Sequence, residues 1–548
     1  MSNPREAEAT GYIIHSIYRR VGYSFAMPAL PVDLLPLLTP EAYAHPVKSV
    51  RLIETHISRV LLTGEFAYKL KRPVHYPFVD LRSAERRAFC CAEEVRLNRR
   101  FAPELYLGVS KITAVGGRAR MGGEGEAIES AVCMRQFECE NGLDRLLATG
   151  RVEPGELELF GRNLAAIHAQ LPVAQDSQAW GRPDSVVALL RENMAQCVQL
   201  AAPLGTQSRI RALCEPYEAC VSDSVSWVGI RRNEGRVREC HGDLHARNVV
   251  RYAGRLVAFD CIEFDPAFRW IDVAEEIAFL LMDLEARHAP LQAQAFLGGY
   301  LTQSGDYQAC RLLRMYEIHH ALVRAKVAAV EASNASGSVR ETAIGQHDAY
   351  LDCARRLLTR EQPLLLLTFG LSGSGKTWLA NRLAPLLGAV HVRSDVERKR
   401  LAGLAERGHS HSGMEQGLYS GQSSAHVYAH LARCADDVLA GGHTVIVDAT
   451  FSRREDRERF RKLAIERGVE LRVLHCHVPT DVLEARIAQR QRAQADASEA
   501  DLAVLAWQES HREPVTADEG LTLIDADTTR AAVIADVAKM CVKRPTGP

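Results

Sequence analysis

Gly370–Thr377 reads GLSGSGKT, a stretch that fits G-x-x-x-x-G-K-[ST] and sets the fold of the last part of the chain. Leu364–Phe369 (LLLLTF), just before it, is a short continuous apolar run of the kind a parallel strand buried on both faces shows. Just after it, Trp378–Leu387 reads as a helix. Strand, glycine-rich loop and helix are the context this motif's chemistry requires. Gly370, Gly373 and Gly375, with Ser372 and Ser374 between them, let backbone N–H groups wrap a polyphosphate at a helix N-terminus. Lys376 is then placed for the β- and γ-phosphates and Thr377 for Mg2+. The expectation is a bound nucleoside triphosphate, ATP, with Mg2+.

Working outward, residues 363–548 alternate strand and helix, which argues for a parallel sheet. A strand at Ala389–Arg393 ends at Ser394-Asp395, where open α/β sheets place their ligands. Asp395, Arg398 and Lys399 are spaced to share one helix face. A strand at His443–Val447 ends at Asp448, the acid expected as partner of the Mg2+ at the loop. After a strand at Leu471–Val478, the helix following Pro479 carries Arg486 and Arg490 on one face, with Arg492 close by. Such arginines are either a solvated face or a lid over the phosphates. With GLSGSGKT, the SDVERK segment at 394–399, VIVDAT at 445–450 and the arginine helix, this half resembles the gluconate kinase, polynucleotide 5′-kinase and zeta-toxin group of P-loop kinases. The resemblance implies that Asp395 activates an acceptor hydroxyl and that Arg398 holds the substrate.

The front begins as a β-rich stretch. VRLIET, ISRVLLTG and FAYKLKRP read as three strands, Ser83–Arg100 as a charged helix, and Leu105–Ile112 and Ala131–Phe137 as two more strands. Phe89, Ala92, Val95 and Leu97 are among the apolar positions of that helix. Five strands and one inserted helix make a small α+β lobe. Beyond Glu138 the pattern turns helical, with Phe160, Leu164, Ile167 and Leu171 at helix spacing in 157–171, a longer stretch over 184–227, and helices near 271–284, 291–301 and 311–332. His168 reads as a packed or capping histidine.

Inside that helical region lies Cys240–Asp260, CHGDLHARNVVRYAGRLVAFD. Phosphoryl transfer needs a group that orients the acceptor hydroxyl, metal ions on the phosphates and a cation for the remaining charge. Asp243 is placed to accept the hydroxyl proton, and Asn248 and Asp260 offer the oxygen ligands Mg2+ prefers. HGDLHARN followed by an Asp-terminated strand resembles the catalytic loop of the aminoglycoside-phosphotransferase-like family, relatives of protein kinases, over roughly residues 45–335. The resemblance implies Asp243 as catalytic base, Asn248 and Asp260 as metal ligands, and Asp272 as a structural acid. It also implies Lys69 on the ATP phosphates, Glu94 (rather than Glu93) holding that lysine, and Met134–Phe137, with Gln136, as the adenine hinge. Lys71 shares a strand face with Lys69 and is the alternative. HISRVLLTGE offers a single glycine, so no glycine-rich loop covers the phosphates. Asp265, Glu275 and Glu276 are the acids available for a polycationic acceptor, or are helix-surface charges.

The expected fold class is an α+β protein-kinase-like bilobal domain followed by an α/β P-loop domain with a parallel sheet. Its divisions are an N-terminal extension (1–35), the kinase-like domain (36–335), a linker and bridging helix (336–362) and the P-loop domain (363–548). A formal net charge of −1 gives no global reason for nucleic acid or membrane partners. Residues 1–26 lack periodicity and a signal-peptide layout, and Met27 is an alternative start. The cysteines, without a C-x-x-C pair, fit a reducing cytoplasm. His475-Cys476-His477 lies in a strand, where alternate residues face opposite sides, and is not expected to bind metal. The composite expectation is an ATP-dependent kinase with two nucleotide sites, acting on hydroxyl groups of small molecules or nucleotide-like acceptors. The competing reading makes one half a non-catalytic ATP-binding regulator, or a restraint on a toxin-like kinase in the other.

Overall fold

The structure is a computed structural model that describes residues 31–55, 57–76, 79–359, 362–404, 421–493, 502–530 and 532–542. These gather into two compact units. The front unit takes the chain up to Glu156, then Ala166–Ala289 and Leu313–Thr359; the back unit takes Leu157–Ala165, Pro290–Leu312 and the chain from Arg360.

The front sheet comprises β1 (Arg51–Glu54), β2 (Ser58–Leu62) and β3 (Phe66–Lys71). A two-residue hairpin, β4 (His75–Tyr76) and β5 (Val79–Asp80), stands apart from it, and β6 (Tyr106–Val115), β7 (Arg118–Met121) and β8 (Ala127–Arg135) complete it. Its order is β1-β2-β3-β8-β6-β7, antiparallel throughout. The sequence pattern anticipates five strands; β7 is the sixth. It is a short strand in which Ala119 and Met121 point in and two arginines point out, so its apolar signal is only two residues. Gly116 and Gly117, at φ 58° and 77°, make the turn that pairs it with β6.

β3 is central and buried on both faces. Tyr68 and Leu70 enter one core with Leu61 and Ile112, while Ala67 enters another with Val132 and Met134. Strand alternation puts Lys69 and Lys71 on the Ala67 side, facing the helix Ala84–Asn98. That helix packs through Cys90, Cys91, Glu94, Val95 and Leu97. Phe89, one of its apolar positions, is about half exposed and lies under the Arg86 guanidinium, because the buried stripe follows Glu94 toward the lysines.

Two short strand pairs and five long helices continue the unit. β9 (Val237–Glu239) pairs with β12 (Trp270–Asp272), and β10 (Val249–Tyr252) with β11 (Arg255–Ala258). The β10–β11 turn puts Ala253 and Gly254 at φ 48° and 78°, the backbone of a two-residue hairpin. The helices include Pro183–Leu200, Gln207–Asn233, Val273–Ala286, Cys310–Asn334 and Gly337–Leu358. Asn334 ends one helix and Ser336 stands at the N-cap position of the next, so the break between these two helices is residues 335–336.

The back unit is built on five parallel strands: β13 (Leu364–Phe369), β14 (Val390–Arg393), β15 (Val445–Asp448), β16 (Glu470–His477) and β17 (Thr522–Asp527), in the order β14-β15-β13-β16-β17. Leu366, Ile446, Leu474 and Ile524 pack there against Leu379 and Leu383 of the helix Lys376–Leu387 and Val533 and Val537 of the helix Val533–Val542. Central strands buried on both faces read as unbroken apolar runs, as LLLLTF does.

Two segments from earlier in the chain complete this unit. Gln294 donates to the Ala389 carbonyl at 2.5 Å and Tyr307 to Glu397 at 3.2 Å, and Arg311 pairs with Asp436 and Asp437 at 2.5 Å each. Phe160 stacks on Phe296, and the backbones approach so closely that a Cβ on Gly161 would lie 2.3 Å from the Phe296 carbonyl oxygen.

Candidate active sites

In the front unit, β3, the helix Ala84–Asn98 and the loop after β11 bring their charged groups together. Lys69 donates to Glu94 Oε1 at 2.7 Å and also pairs with Asp260. Lys71 reaches the other oxygen of Glu94 at 2.5 Å and pairs with Glu263. Burial works against the charge of both lysines, but Asp260 and Glu94 around Lys69, and Glu263 and Glu94 around Lys71, outweigh it and hold both above the ordinary lysine value. Glu94 therefore serves both. Lys69 is the one joined to Asp260, and Lys71 sits deeper.

Asp260 takes φ 69°, a left-handed backbone that a non-glycine residue adopts at a cost of about 1–2 kcal/mol. Its N–H donates to the Tyr106 hydroxyl at 3.0 Å, and the next N–H, of Cys261, to Asn98 Oδ1 at 3.0 Å. These contacts fix the turn that aims the carboxylate at Lys69.

The loop HGDLHARN is held from behind. Glu276 accepts from the backbone N–H of His241 at 2.7 Å and of Gly242 at 3.0 Å. Burial pushes the Glu276 carboxyl up to about 7 against those two bonds, and burial pushes the His241 imidazole down to about 4 despite the nearby Asp243 charge. The Asn248 amide donates to the Asp243 side chain at 2.8 Å and to its carbonyl at 3.0 Å. This leaves the Asn248 carbonyl oxygen as its free ligand atom. Asp272 takes a two-pronged bond from Arg231, 2.8 Å on each side, and caps the helix Val273–Ala286.

Other positions depart from the simplest reading of the sequence. Glu275 and Glu276 are buried, not surface or pocket-lining acids, and Asp265 caps its own turn at Ala267. Gln136 turns to the β2–β3 connection, where its side chain accepts from the Gly64 N–H at 2.9 Å and its own N–H donates to the Glu65 carbonyl at 3.0 Å. His168, by contrast, is buried and packed as expected, with its ring pushed down to about 3 by burial. Tyr106, Asn98 and Glu263 were not singled out from sequence; they arrive from strand, helix and loop positions with no local motif.

In the back unit the loop 370–375 runs from β13 into its helix with Gly370, Gly373 and Gly375 at φ 147°, 85° and 86°. Side chains fit at neither end: a Cβ would lie 2.2 Å from the Cys476 carbonyl oxygen at Gly370 and 2.6 Å from Thr528 Oγ1 at Gly375. Lys376 folds over the loop and donates to the carbonyls of Gly370 and Leu371 at 2.9 and 2.8 Å. Ser372 N–H donates to Gln508 at 2.9 Å. The Ser374 hydroxyl is buried and unbonded among the described residues.

Asp448, at the end of β15, accepts from Thr377 at 2.6 Å and from Thr368 at 3.2 Å, with His391 Nε2 at 3.3 Å. Burial alone would raise its pKa; the His391 bond and charge, the Thr377 hydroxyl and Lys376 outweigh it and hold the carboxyl well below its ordinary value. Its ionised oxygens and the Thr377 hydroxyl form a hard oxygen donor set that suits Mg2+. His391 is fixed from its other side by Asn381, 3.0 Å away. Neither His391 nor Thr528 was anticipated. Thr528 stands just past the carboxyl end of β17, where ligands gather, and that position is its available signal; His391 lies within β14 and has none.

Arg486 reaches the loop: it donates to the Gly373 carbonyl at 3.3 Å and to Thr528 Oγ1 at 2.9 Å, and Thr528 donates in turn to the Ser374 carbonyl at 2.8 Å. Arg490 is one turn further along the helix Thr480–Ala493, with its side chain outside the described residues. Asp395 and Arg398 stand half-buried on the helix Ser394–Leu401, which begins where β14 ends. Glu397 of that helix lies with His430 and Cys434, their ligand atoms within 4.8 Å of one another. Arg400 occupies the same carboxylate at 3.2 Å, so its countercharge is already present. His475 and His477 both face Asp525, at 3.4 and 3.0 Å, while Cys476 is buried.

This geometry agrees with what comparison shows. The phosphotransferase enzyme family matches residues 83–313 and the AAA domain family residues 365–515. The chain is thus a kinase-like phosphotransferase domain followed by a P-loop kinase-like domain. It is 31% identical over 483 residues to uncharacterized protein Rv2004c of Mycobacterium tuberculosis, covering 86% of this chain and 93% of that one, and equally to Mb2027c of Mycobacterium bovis. It belongs to the family that these two-part mycobacterial proteins represent.

Among solved structures, an ethanolamine kinase from Plasmodium vivax is 10% identical with a TM-score of 0.31, over 55% of this chain and 81% of its own. A gluconokinase from Sinorhizobium meliloti is 18% identical with a TM-score of 0.24, over 33% of this chain and 97% of its own. Likenesses of this size carry no information about substrate.

Proposed function

We propose that the protein is an ATP-dependent kinase with two nucleotide sites, each transferring the γ-phosphate to a hydroxyl group of a small-molecule or nucleotide-like acceptor. The observation that supports this reading is that each unit has its own set: Asp243 bonded to Asn248, and Lys69 bonded to Glu94 and Asp260, in front, and GLSGSGKT with Asp448 and Arg486 behind.

In front, Asp243 takes the acceptor proton as the hydroxyl oxygen bonds to the γ-phosphorus, the bond to the β-phosphate oxygen breaks, and ADP leaves. Lys69 holds the phosphates, while Asn248 and Asp260 would hold Mg2+. Behind, Asp395 orients the acceptor hydroxyl, Arg398 binds the acceptor, the loop N–H groups and Lys376 hold the phosphates, and Thr377 and Asp448 would hold the ion. Arg486, and Arg490 beyond it, neutralise charge on the transferring group. Bound Mg2+ supplies charge neutralisation of the phosphate oxygens.

We place the domain boundaries at 36–335 and 363–548, joined by 336–362. A cytoplasmic setting suits fourteen cysteines that are all free thiols. No described helix is long and apolar enough to cross a membrane.

The test is phosphate transfer from labelled ATP into a metabolite pool by the full chain, by Asp243→Asn and by Lys376→Ala. Each substitution should remove a distinct set of products, by at least about a hundredfold for the base. Unchanged products in both variants would end the two-kinase reading. The Gly64 N–H, engaged by Gln136, favours the competing one, a regulatory front half, because the turn above the lysines then offers less backbone to phosphates. In that case Asp243→Asn would change nucleotide-dependent behaviour of the back site and no product of its own.

A further inference from the structure

The HGDLHARN loop continues into a basic cluster that its catalytic residues do not use. Arg247 follows Asp243 by four residues, Arg287 ends the helix Val273–Ala286, and Arg324 lies in the helix Cys310–Asn334. One buried carboxylate, Asp283, lies among the elements that carry them. Arg287 pairs with it at 3.1 Å, the Ala246 N–H donates to it at 3.0 Å, and the Tyr350 hydroxyl donates at 3.1 Å. Arg324 donates to that same Tyr350 oxygen at 3.2 Å, with its guanidinium 5.2 Å above the ring. Among the described residues the Arg247 side chain has one ion pair, a loose 3.9 Å approach to Asp144.

Charge at Arg247 is therefore out of balance. Its one ion pair among the described residues is the loose one to Asp144, in a region where burial, then Arg324 and Arg287, push its pKa below the ordinary value. Such an excess is costly unless an anion completes it. The arrangement is also reachable: the Arg247 and Arg287 side chains are 23% and 24% exposed, whereas Arg324 is buried behind them. Guanidinium forks match the oxygens of a phosphate group, and two accessible forks suit a dianion. The loop that carries Arg247 also carries Asp243, with His245 Nε2 3.5 Å from the Asp243 carboxylate, so an anion held here belongs to the acceptor side.

We propose that the front site's acceptor is a small hydroxy compound that already bears a phosphate group, gripped by Arg247 and Arg287 with Arg324 behind them. This rests on the Asp243-centred transfer proposed above. It sets the front site apart from one built for polycations, since its acids Glu275 and Glu276 are buried and its open side chains are basic.

The experiment uses the full chain carrying Lys376→Ala, so that the back loop is silenced. Sugar phosphates, the same sugars without phosphate, sugar acids and kanamycin are compared as acceptors, with Arg247→Gln, Arg287→Gln and the charge-keeping Arg247→Lys. Sugar phosphates should be preferred. Arg247→Gln and Arg287→Gln should raise the acceptor KM about tenfold to a hundredfold while kcat and the KM for ATP move less than about threefold, with Arg247→Lys between. Calorimetry with inorganic phosphate and no nucleotide should show binding that Arg247→Gln removes, and a thermal melt of each variant confirms folding. Preference for neutral sugars, sugar acids or kanamycin, with KM indifferent to Arg247→Gln, would overturn the phosphate assignment and leave the kinase reading standing. Phosphate binding lost in Arg247→Gln, with no transfer to any acceptor, would support the anion site and sink the transfer reading instead.

Discussion

Lys69 donates a 2.7 Å hydrogen bond to Glu94, and both side chains are almost wholly buried. Removing one member of such a pair strands the other's charge, at about 3–5 kcal/mol. Glu94→Ala takes one of two carboxylates from each of two buried ammonium groups and should lower the urea midpoint of the front unit by more than Lys71→Met does. Lys69→Met should be the most damaging of the three for front-site transfer. If Lys71→Met abolished transfer and Lys69→Met spared it, the phosphate lysine would be Lys71.

Glu275 gives a pH signature. Burial, then the charges of Asp272 and Glu276, push its carboxyl up from 4.5 to about 8. The folded protein thus keeps a proton that the unfolded chain releases across that window. Stability contributed by this group falls as pH rises from about 5 to 8, by at most about 1.4 kcal/mol per pH unit. Glu275→Gln should flatten the decline, and urea midpoints at pH 5, 6.5 and 8 measure it. Parallel slopes for the two proteins would show that Glu275 is not the source.

Gly375→Ala tests the loop. Gly375 is at φ 86°, and an added Cβ would meet Thr528 at 2.6 Å, so strain and overpacking combine. Together they should cost about 2–4 kcal/mol. Nucleotide affinity of the back site should fall with it, because Thr528 also positions Arg486 and the Ser374 carbonyl. Thr528→Ser, which keeps the hydroxyl, should bind nucleotide almost normally. Equilibrium binding of a fluorescent ATP analogue reads both.

A fragment spanning 355–548 should not fold as the back unit does. It lacks Tyr307, which donates to buried Glu397, and Arg311, which pairs with Asp436 and Asp437. It also lacks the Thr302 carbonyl that Arg400 engages and the Phe160–Phe296 stack. Its thermal unfolding should be broad or shifted down by more than about 5 °C relative to the back transition of the full chain. A sharp transition at the full-chain temperature would show that the borrowed segments are dispensable. Loss of toxicity from such a fragment would therefore say nothing about a restrained kinase.

Much of this architecture was legible because its signals are local. GLSGSGKT, the apolar LLLLTF run, the HGDLHARN loop and the acid after VIV each announce themselves within a dozen residues, and the alternating strands and helices implied the parallel sheet. The remainder depends on partners far apart in sequence. Tyr106 meets Asp260, Glu263 meets Lys71, and His391 meets Asp448 only because strand register and chain crossings bring them together. β7 escaped notice because its apolar face is two residues long. Phe89 is half exposed because the buried stripe of this charged helix follows Glu94, which apolar spacing alone does not show. The acids 275 and 276 looked like surface charges for the same reason: spacing shows a face, not what covers it.

The passage of Leu157–Ala165 and Pro290–Leu312 into the back unit has a consequence for descent. Two enzymes joined end to end can be separated again by a break in the linker, and each half can be exchanged for another. Here the stretch matched by the phosphotransferase family runs to residue 313, yet its late helices help to wall the P-loop unit. A recombination event at 336–362 would hand on a back half without part of its own packing. The mycobacterial relatives align over 93% of their length, across both parts.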